Sequence, residues 1–482
     1  MSPLAAIDIG TTLIKAGVFN ESGDLLGLGA QPFDLVAPQD GWFELAPDAC
    51  WQAICAAMRQ AIERSGGNAD NIAAIGLSSQ GQTVVPVDAN GNPLSNFIVW
   101  LDRRAAFEAS EIESRFHPET IYHQTGVSQL VPGHTVSVLS WQRKHRPDIF
   151  RRASRFLLTK DYATLRMTGQ AAIDHQLAGS TACYSVPQGG WWDEMLEFIG
   201  VSHQQLSPLF AAEETVGELA EDAARALGIP AGCPVVAGAW DQIAGAIGAG
   251  NVRPGIVTEM TGSCLALFAT CKDFMPDPQR RMLAGRHAVG GYGYLLPYTE
   301  FAGKALQLVR DTCYGTSTPY EGITAEAVRV PIGCDGLAMD LRRTATKIED
   351  ALISLSPRHT RAHIARAAME AAAFALKDHI DALVQLHVQV GSIISLGGGA
   401  RSDFWLQMKA DLLGLPVNRP ACTESALLGA AILAGKGCGI YDDAAEAAER
   451  IARVERVFEP RGETRDAYLA AYEFRSKQAA RV

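Results

Sequence analysis

Residues 8–19 read Asp8-Ile9-Gly10-Thr11-Thr12-Leu13-Ile14-Lys15-Ala16-Gly17-Val18-Phe19, and few local structures satisfy them. Two apolar runs are joined by a Gly-Thr-Thr step that fits a tight turn, so Leu4–Ile9 and Leu13–Phe19 are expected to form a β-hairpin. Asp8 lies near the end of the first run, where a buried carboxylate is costly unless paired. The turn, Gly10, Thr11 and Thr12 followed by Lys15, offers backbone N–H groups, two hydroxyls and a cation to a phosphate. Asp8 stands where it can hold the phosphate's Mg2+. A hairpin whose turn is simply capped by Asp8 explains the same residues without a ligand. Far downstream, Gly397-Gly398-Gly399-Ala400-Arg401-Ser402 joins a strand (Ile393–Leu396) to a helix expected from Asp403. Bare backbone of that kind lets a nucleotide approach closely. In this order and separation the two segments suggest ATP held between two halves of a molecule.

The bulk composition allows that architecture. The chain has 482 residues, 48% hydrophobic and 20% charged, enough core for two domains of about 200–250 residues each. Its net charge of −11 and the lack of any Lys/Arg block argue against nucleic acid as a partner. No apolar run approaches the ~18 residues that span a bilayer, and no basic segment precedes an apolar one at the start, so a cytoplasmic protein is expected. The ten cysteines are scattered singly without a CxxC pair, as in a protein with reduced thiols. His359 and His363 stand four apart without an intervening Glu, which fails the zinc-protease pattern.

The pattern of elements repeats. Ala49–Arg64 reads as a helix with Trp51, Ile54, Met58 and Ile62 on one face. Ile72–Leu77 reads as a strand ending in the polar loop Ser78-Ser79-Gln80-Gly81-Gln82. Val84–Val87 and Leu94–Val99 flank an Asn-Gly turn. Residues 104–230 read as mostly helical, with a short strand at Arg155–Leu158. In the second half, Ile256–Met260, Thr261-Gly262-Ser263 and Cys264–Ala269 again read as strand, turn, strand. A long helix (Arg361–Leu386) precedes the glycine run, a helix from Glu424 to Ala434 follows it, and residues after 440 read as helical. The expected architecture is α/β: two pseudo-equivalent domains, 1–244 and 245–482, with a central cleft.

Several residues carry candidate chemistry. Asp241 ends a strand of small and apolar residues and precedes a small-residue helix. It is suited to accept the proton of a hydroxyl attacking a γ-phosphate, and it also suits an N-cap. Gln80, Gly81 and Gln82, with Trp100, Asp102 and Arg104, follow N-terminal strands. They supply amide, indole, carboxylate and guanidinium groups of the kind that bind polyhydroxylated compounds, although Asp102 and Arg104 also read as a structural ion pair. Thr261, Gly262 and Ser263 form a second phosphate candidate, and Gly397, Gly398, Gly399 and Ser402 a nucleotide candidate. Gly429 to Lys436 mimics a Walker loop but has five intervening residues and Gly437 where Ser/Thr belongs, so it is rejected.

Taken together, these segments resemble the FGGY carbohydrate kinases of the actin-like/ribonuclease H-like ATPase superfamily. The resemblance rests on Asp8–Lys15, Gly41-Trp42-Phe43-Glu44, Trp100-Leu101-Asp102-Arg103-Arg104, Lys160-Asp161-Tyr162 with Thr168-Gly169, Gly238 through Asp241 to Gly248, and Gly397–Asp411 with Leu428-Gly429-Ala430-Ala431. It covers nearly the whole chain. It implies an ATP- and Mg2+-dependent kinase in which Asp241 is the catalytic base and Asp8 the magnesium-associated carboxylate. Phosphates would then meet Thr11, Thr12 and Thr261–Ser263, and adenosine Gly397–Gly399. Two departures stand out. Met260 precedes Thr261 where the family usually has Gly-Thr-Gly or Gly-Thr-Ser, and Gln80-Gly81-Gln82 replaces the Gln-Met-His of D-xylulose kinases and the Arg-Glu of glycerol kinases. Ser-x-Gln-Gly is more similar to L-xylulose-type and erythritol-type kinases. The expected acceptor is a ketopentose such as xylulose, with polyols and sugar acids as alternatives. An actin- or chaperone-like ATPase is a more distant alternative. Family members are often dimers, so a homodimer is an open expectation.

Overall fold

The computed structural model describes residues 2–67, 69–343 and 347–479. It divides into two compact units, each assembled from three stretches of chain. The first takes residues up to Val252, Lys272–Tyr294 and Glu424–Ala452; the second takes Arg253–Cys271, Leu295–Thr423 and residues from Arg453 onward. The expected division at 244/245 is a single cut. The compact units instead return a late segment, 424–452, to the first.

The hairpin Leu4–Ile9/Leu13–Phe19 forms with the expected bounds. Leu4–Ile9 pairs on its other side, in parallel, with Ala74–Ser79. Leu25–Pro32 extends the sheet beyond Leu13–Phe19. Ala74–Ser79 also takes Pro234–Val236 and Ala239–Trp240 as parallel neighbours, and Thr215–Glu218 closes that edge antiparallel to Pro234–Val236. Helix Pro47–Arg64 buries Trp51, Ile54, Met58 and Ile62 against this sheet's core, the face its three-to-four spacing dictates.

Small residues explain the return of 424–452. Helix Ser425–Gly437 packs on helix Asp241–Gly248 and on the sheet. A Cβ at Gly429 would lie 1.9 Å from Ala244 O, one at Gly248 1.9 Å from Ser425 O, and one at Gly76 2.0 Å from Ala430 O. Glycine at these crossings lets backbone meet backbone, a closeness no other residue permits. The small residues at 429–431 therefore serve contact with another helix and with the sheet.

The second unit repeats the topology. Gly255–Thr261 and Leu265–Cys271 form the hairpin. Val390–Leu396 lies parallel to the first of these and Val417–Pro420 parallel to it in turn. Val454–Phe458 closes the edge antiparallel. That last strand corrects the expectation of helix alone after 440. Val454, Val457 and Glu455 are exposed and only Phe458 is buried, so the segment carries little apolar signal, as edge strands often do. Among the described residues no helix is long and apolar enough to cross a membrane.

Candidate active site

Three parallel strands of the first unit end together. Asp8 is in register with Ser78, Ser78 with Ala239, and Ser79 with Trp240. The carboxyl ends of neighbouring parallel strands are where open α/β sheets place ligands, and here they deliver Asp8, the loop from Gln80, and Asp241. Gly238 makes the third strand possible. Its φ is +71° and a Cβ would lie 1.8 Å from Leu77 O, so only glycine lets the chain step from Pro234–Val236 to Ala239–Trp240.

Behind this edge lies a charged pair with no exposure. Lys160 and Asp174 are both fully buried and ion-paired, and Lys160 Nζ also donates to Ala237 O at 2.5 Å. Asp174 accepts from Leu177 N at 2.9 Å and so caps the helix His175–Gly179. Lys160 thereby ties the strand leading to Asp241 to the segment carrying His175 and Gln176.

Two carboxylates meet at the strand ends. Asp8 Oδ1 accepts from Ser78 Oγ at 2.8 Å. Burial pushes Asp8's pKa up, the Ser78 hydrogen bond and the Lys15 charge oppose this, and Glu424 adds to it. Asp241 is pushed up to about 7, first by burial and next by the charge of Asp8, against the pull of the helix N-terminus it occupies. Its Oδ1 accepts from Gln242 N at 2.7 Å. Lys15 cannot neutralise the corner alone, because its Nζ is 2.6 Å from Glu424 Oε2. Two buried hard oxygen donors, with the charge of Asp8 raising Asp241 and that of Glu424 raising Asp8, suit a divalent cation such as Mg2+, so the donor chemistry fits the metal that the sequence implies.

The polar loop is a network. Thr11 Oγ1 donates to Gln80 Oε1 at 2.9 Å and accepts from Trp100 Nε1 at 3.0 Å. Thr11's hydroxyl is thus committed to the loop, and Thr12 is the exposed hydroxyl of the hairpin turn. Gln80 is buried, and its Nε2 has no partner among the described residues, so one amide donor is available to a ligand. Gln82 holds φ +68°, a costly conformation for a non-glycine that clusters at functional sites. A Cβ at Gly81 would lie 3.0 Å from Ser180 Oγ and 3.1 Å from Trp240 Nε1, which seats the loop against the Asp241 strand.

Asp102 and Arg104 take the structural alternative. Both side chains are almost fully buried and pair with each other at 2.8 Å. Asp102 also accepts from Phe43 N at 2.7 Å, while Arg104 reaches Glu44 at 2.9 Å and stacks 3.8 Å over Trp42. They hold the turn that carries Trp100.

A cavity of about 330 Å3 lies beside the loop, lined in part by Gln82, Trp240, His134, His175, Gln176 and Glu213. That volume is typical of a small-molecule site. The last four residues were not singled out from the sequence. They sit in the irregular 104–230 region, where no spacing rule links residues 40 or 80 positions apart.

In the second unit the hairpin turn exposes Gly262 and Ser263. Thr261 is buried instead: it donates to Glu259 at 2.7 Å and accepts from Lys409 at 3.0 Å. Lys409 and Glu259 form a buried ion pair at 2.5 Å. Gly397 (φ +74°) and Gly398 are exposed, whereas a Cβ on Gly399 would lie 2.7 Å from Thr261 Cβ. Gly399 is therefore needed for packing, and Gly397 and Gly398 present the open backbone. Ser402 caps the helix Asp403–Leu413, accepting from Trp405 N at 3.3 Å.

Comparison with known proteins identifies the family. The N-terminal domain of the FGGY family of carbohydrate kinases matches residues 4–248 and its C-terminal domain residues 338–438. The chain is 26% identical over 480 residues to the xylulose kinase of Bacillus subtilis strain 168, covering 98% of this chain and 96% of that one. It is 30% identical over 494 residues to the autoinducer-2 kinase of Escherichia coli K12, covering 96% and 92%. The crystal structure of a ligand-bound xylulose kinase from Lactobacillus acidophilus superposes with a TM-score of 0.90 at 21% identity, over 100% of this chain and 98% of that one. Its fold is thus the two-domain, actin-like and ribonuclease H-like fold of sugar kinases. The chain belongs to the FGGY family of carbohydrate kinases and is an ATP-dependent phosphotransferase acting on a small sugar substrate.

Proposed function

We propose that the protein transfers the γ-phosphate of Mg-ATP to a hydroxyl of a ketopentose such as xylulose, or of a closely related polyol, with Asp241 as general base. The observation that carries this is the position of Asp241. It follows the end of a strand parallel to the Gln80 strand, adjoins Trp240 in the cavity wall, and has its pKa pushed up to about 7. A base poised near the working pH combines the ionised form with an appreciable driving force for taking a proton.

In this reading the acceptor hydroxyl hydrogen-bonds Asp241, which takes its proton as the oxygen attacks phosphorus. Gln80 Nε2, unpartnered and buried, donates to an acceptor oxygen. Trp100, 38% exposed, offers an indole face to the sugar carbons. The Thr12 hydroxyl, the N–H groups of Thr11 and Thr12, and the exposed Ser263 face phosphates across turns closed by the Gly10 and Gly262 N–H groups, and Gly397 and Gly398 present backbone to the adenosine. Asp8 would hold Mg2+, which when bound neutralises charge on the transferring phosphoryl group. The Thr11–Gln80 hydrogen bond fixes the loop against the hairpin turn.

The relative named xylulose kinase supports a ketopentose acceptor, whereas another is named autoinducer-2 kinase. The test is ADP release from Mg-ATP across D- and L-xylulose, D- and L-ribulose, glycerol, erythritol, ribitol, xylitol, L-arabinitol and gluconate. Strong stimulation by a ketopentose or pentitol is expected. A response to glycerol or gluconate alone would refute the assignment of acceptor class.

A further inference from the structure

The wall of the 330 Å3 cavity carries acceptors that the protein leaves unsatisfied. Gln176 Oε1 and Glu213 Oε2 are buried and have no hydrogen-bond partner among the described residues. Gln176's amide nitrogen donates to His287 O at 3.4 Å, which fixes its carbonyl as the free end. Buried acceptors without donors are rare and costly, more so when charged. The rest of the wall is largely spent. Ser180 Oγ donates to Leu177 O at 2.7 Å, and Tyr184's hydroxyl meets His175 Nδ1 at 2.9 Å. His134 Nδ1 accepts from Val131 N at 2.9 Å, which leaves its proton on Nε2. Arg286 also lines the cavity, but its guanidinium meets Asp273 at 3.2 Å. The two orphaned acceptors therefore call for hydroxyl donors, with the His134 Nε2 proton as a donor on the same wall.

We propose that Glu213 and Gln176 form a distal specificity subsite that accepts hydrogen bonds from two hydroxyls at the non-reacting end of the acceptor. The subsite selects uncharged polyhydroxylated chains and rejects sugar acids, whose carboxylate would face Glu213. The proposal rests on the kinase reading above for the identity of the ligand, and it adds two residues outside the loop and the strand ends.

The test is calorimetric binding, without nucleotide, of D-xylulose, L-xylulose, ribitol, xylitol and gluconate. The proteins are the wild type, Glu213→Leu, Glu213→Gln and Gln176→Leu. The wild type should bind at least one neutral member at least about tenfold more tightly than gluconate. Glu213→Leu and Gln176→Leu should each weaken that neutral ligand by about tenfold or more, with a thermal midpoint unchanged or raised because an orphaned acceptor is gone. Glu213→Gln, the conservative replacement, should narrow the preference for neutral over acidic ligands. Neutral affinities within about twofold of wild type in both leucine variants would overturn the proposal. So would gluconate binding as tightly as the neutral ligands, or no neutral ligand binding at all. Failure of the kinase reading shows separately, as neutral ligands that bind but elicit no acceptor-dependent ADP release.

Discussion

Replacing Asp241 by Asn should make the protein more stable and less active at once. The carboxylate's pKa rises from an ordinary 3.8 to about 7 because burial and the charge of Asp8 both disfavour ionisation. A group with a raised folded-state pKa stabilises fully below its unfolded value and loses that contribution as pH rises through the folded one. Between about pH 4 and 7 the unfolded group ionises while native Asp241 stays largely protonated, so the cost to the folded state grows with pH over that window. Three units at about 1.4 kcal/mol each give roughly 4 kcal/mol near pH 8, and only about 1.5 kcal/mol near pH 5, where the native group is still protonated. Partial solvent access at Asp241 reduces these to about 2–3 and 1 kcal/mol. The assay is chemical denaturation of wild type and Asp241→Asn at several pH values in metal-free buffer, since a divalent cation beside Asp8 would favour the ionised form. The stability gain of the Asn variant should grow from near zero at about pH 4 to a plateau above about pH 7. A gain that does not change with pH, or no gain near pH 8, would refute the claim that this carboxylate is held in an unfavourable charged state.

The kcat/KM for the acceptor should rise with pH through a limb at or below about 7, the value to which metal-free Asp241 is pushed, because the base acts in its ionised form and bound Mg2+ favours that form; a flat pH–rate profile between about 4 and 9 would contradict this. Gly429→Ala places a methyl 1.9 Å from Ala244 O and should cost about 3 kcal/mol or more by forcing two helices apart, measured by urea denaturation. Lys160→Met leaves Asp174 buried and unpaired, a loss of about 3–5 kcal/mol. Adding Asp174→Asn should recover part of it, and a double-mutant cycle with no coupling would deny the pair its structural role.

Much of the framework was legible because it rests on short-range rules. Both Thr/Gly hairpins, the strand Arg155–Leu158 with its following helix, and the long helix Arg361–Gln385 lie close to where alternation, glycine placement and 3.6-residue periodicity put them. Leu94–Val99 shrank to the strand Phe97–Ile98, after an Asn-Gly turn held by Asp88 accepting from Asn90 N and Asn92 N. The site was legible only in part. Asp8, the Gln80 loop and Asp241 each end a strand, a position that sequence can mark. Thr11, Thr261, Asp102, Arg104 and Ser402 showed the right chemistry, but their polar atoms are largely committed to protein partners. Which of two roles a polar side chain takes depends on neighbours distant in sequence. The same holds for Lys160, whose motif was visible while its partners Asp174 and Ala237 were not, and for Glu213 and Gln176, which no local pattern marks.

The most direct test of the central claim compares wild type and Asp241→Asn, with saturating Mg-ATP, for ADP release in the presence and absence of the best acceptor. The account predicts that the acceptor-dependent rate falls by about 10²–10⁴, the range for loss of a general base, while calorimetry shows the acceptor still bound by the variant. Acceptor-dependent turnover retained at the wild-type rate by Asp241→Asn would contradict it and place the proton elsewhere.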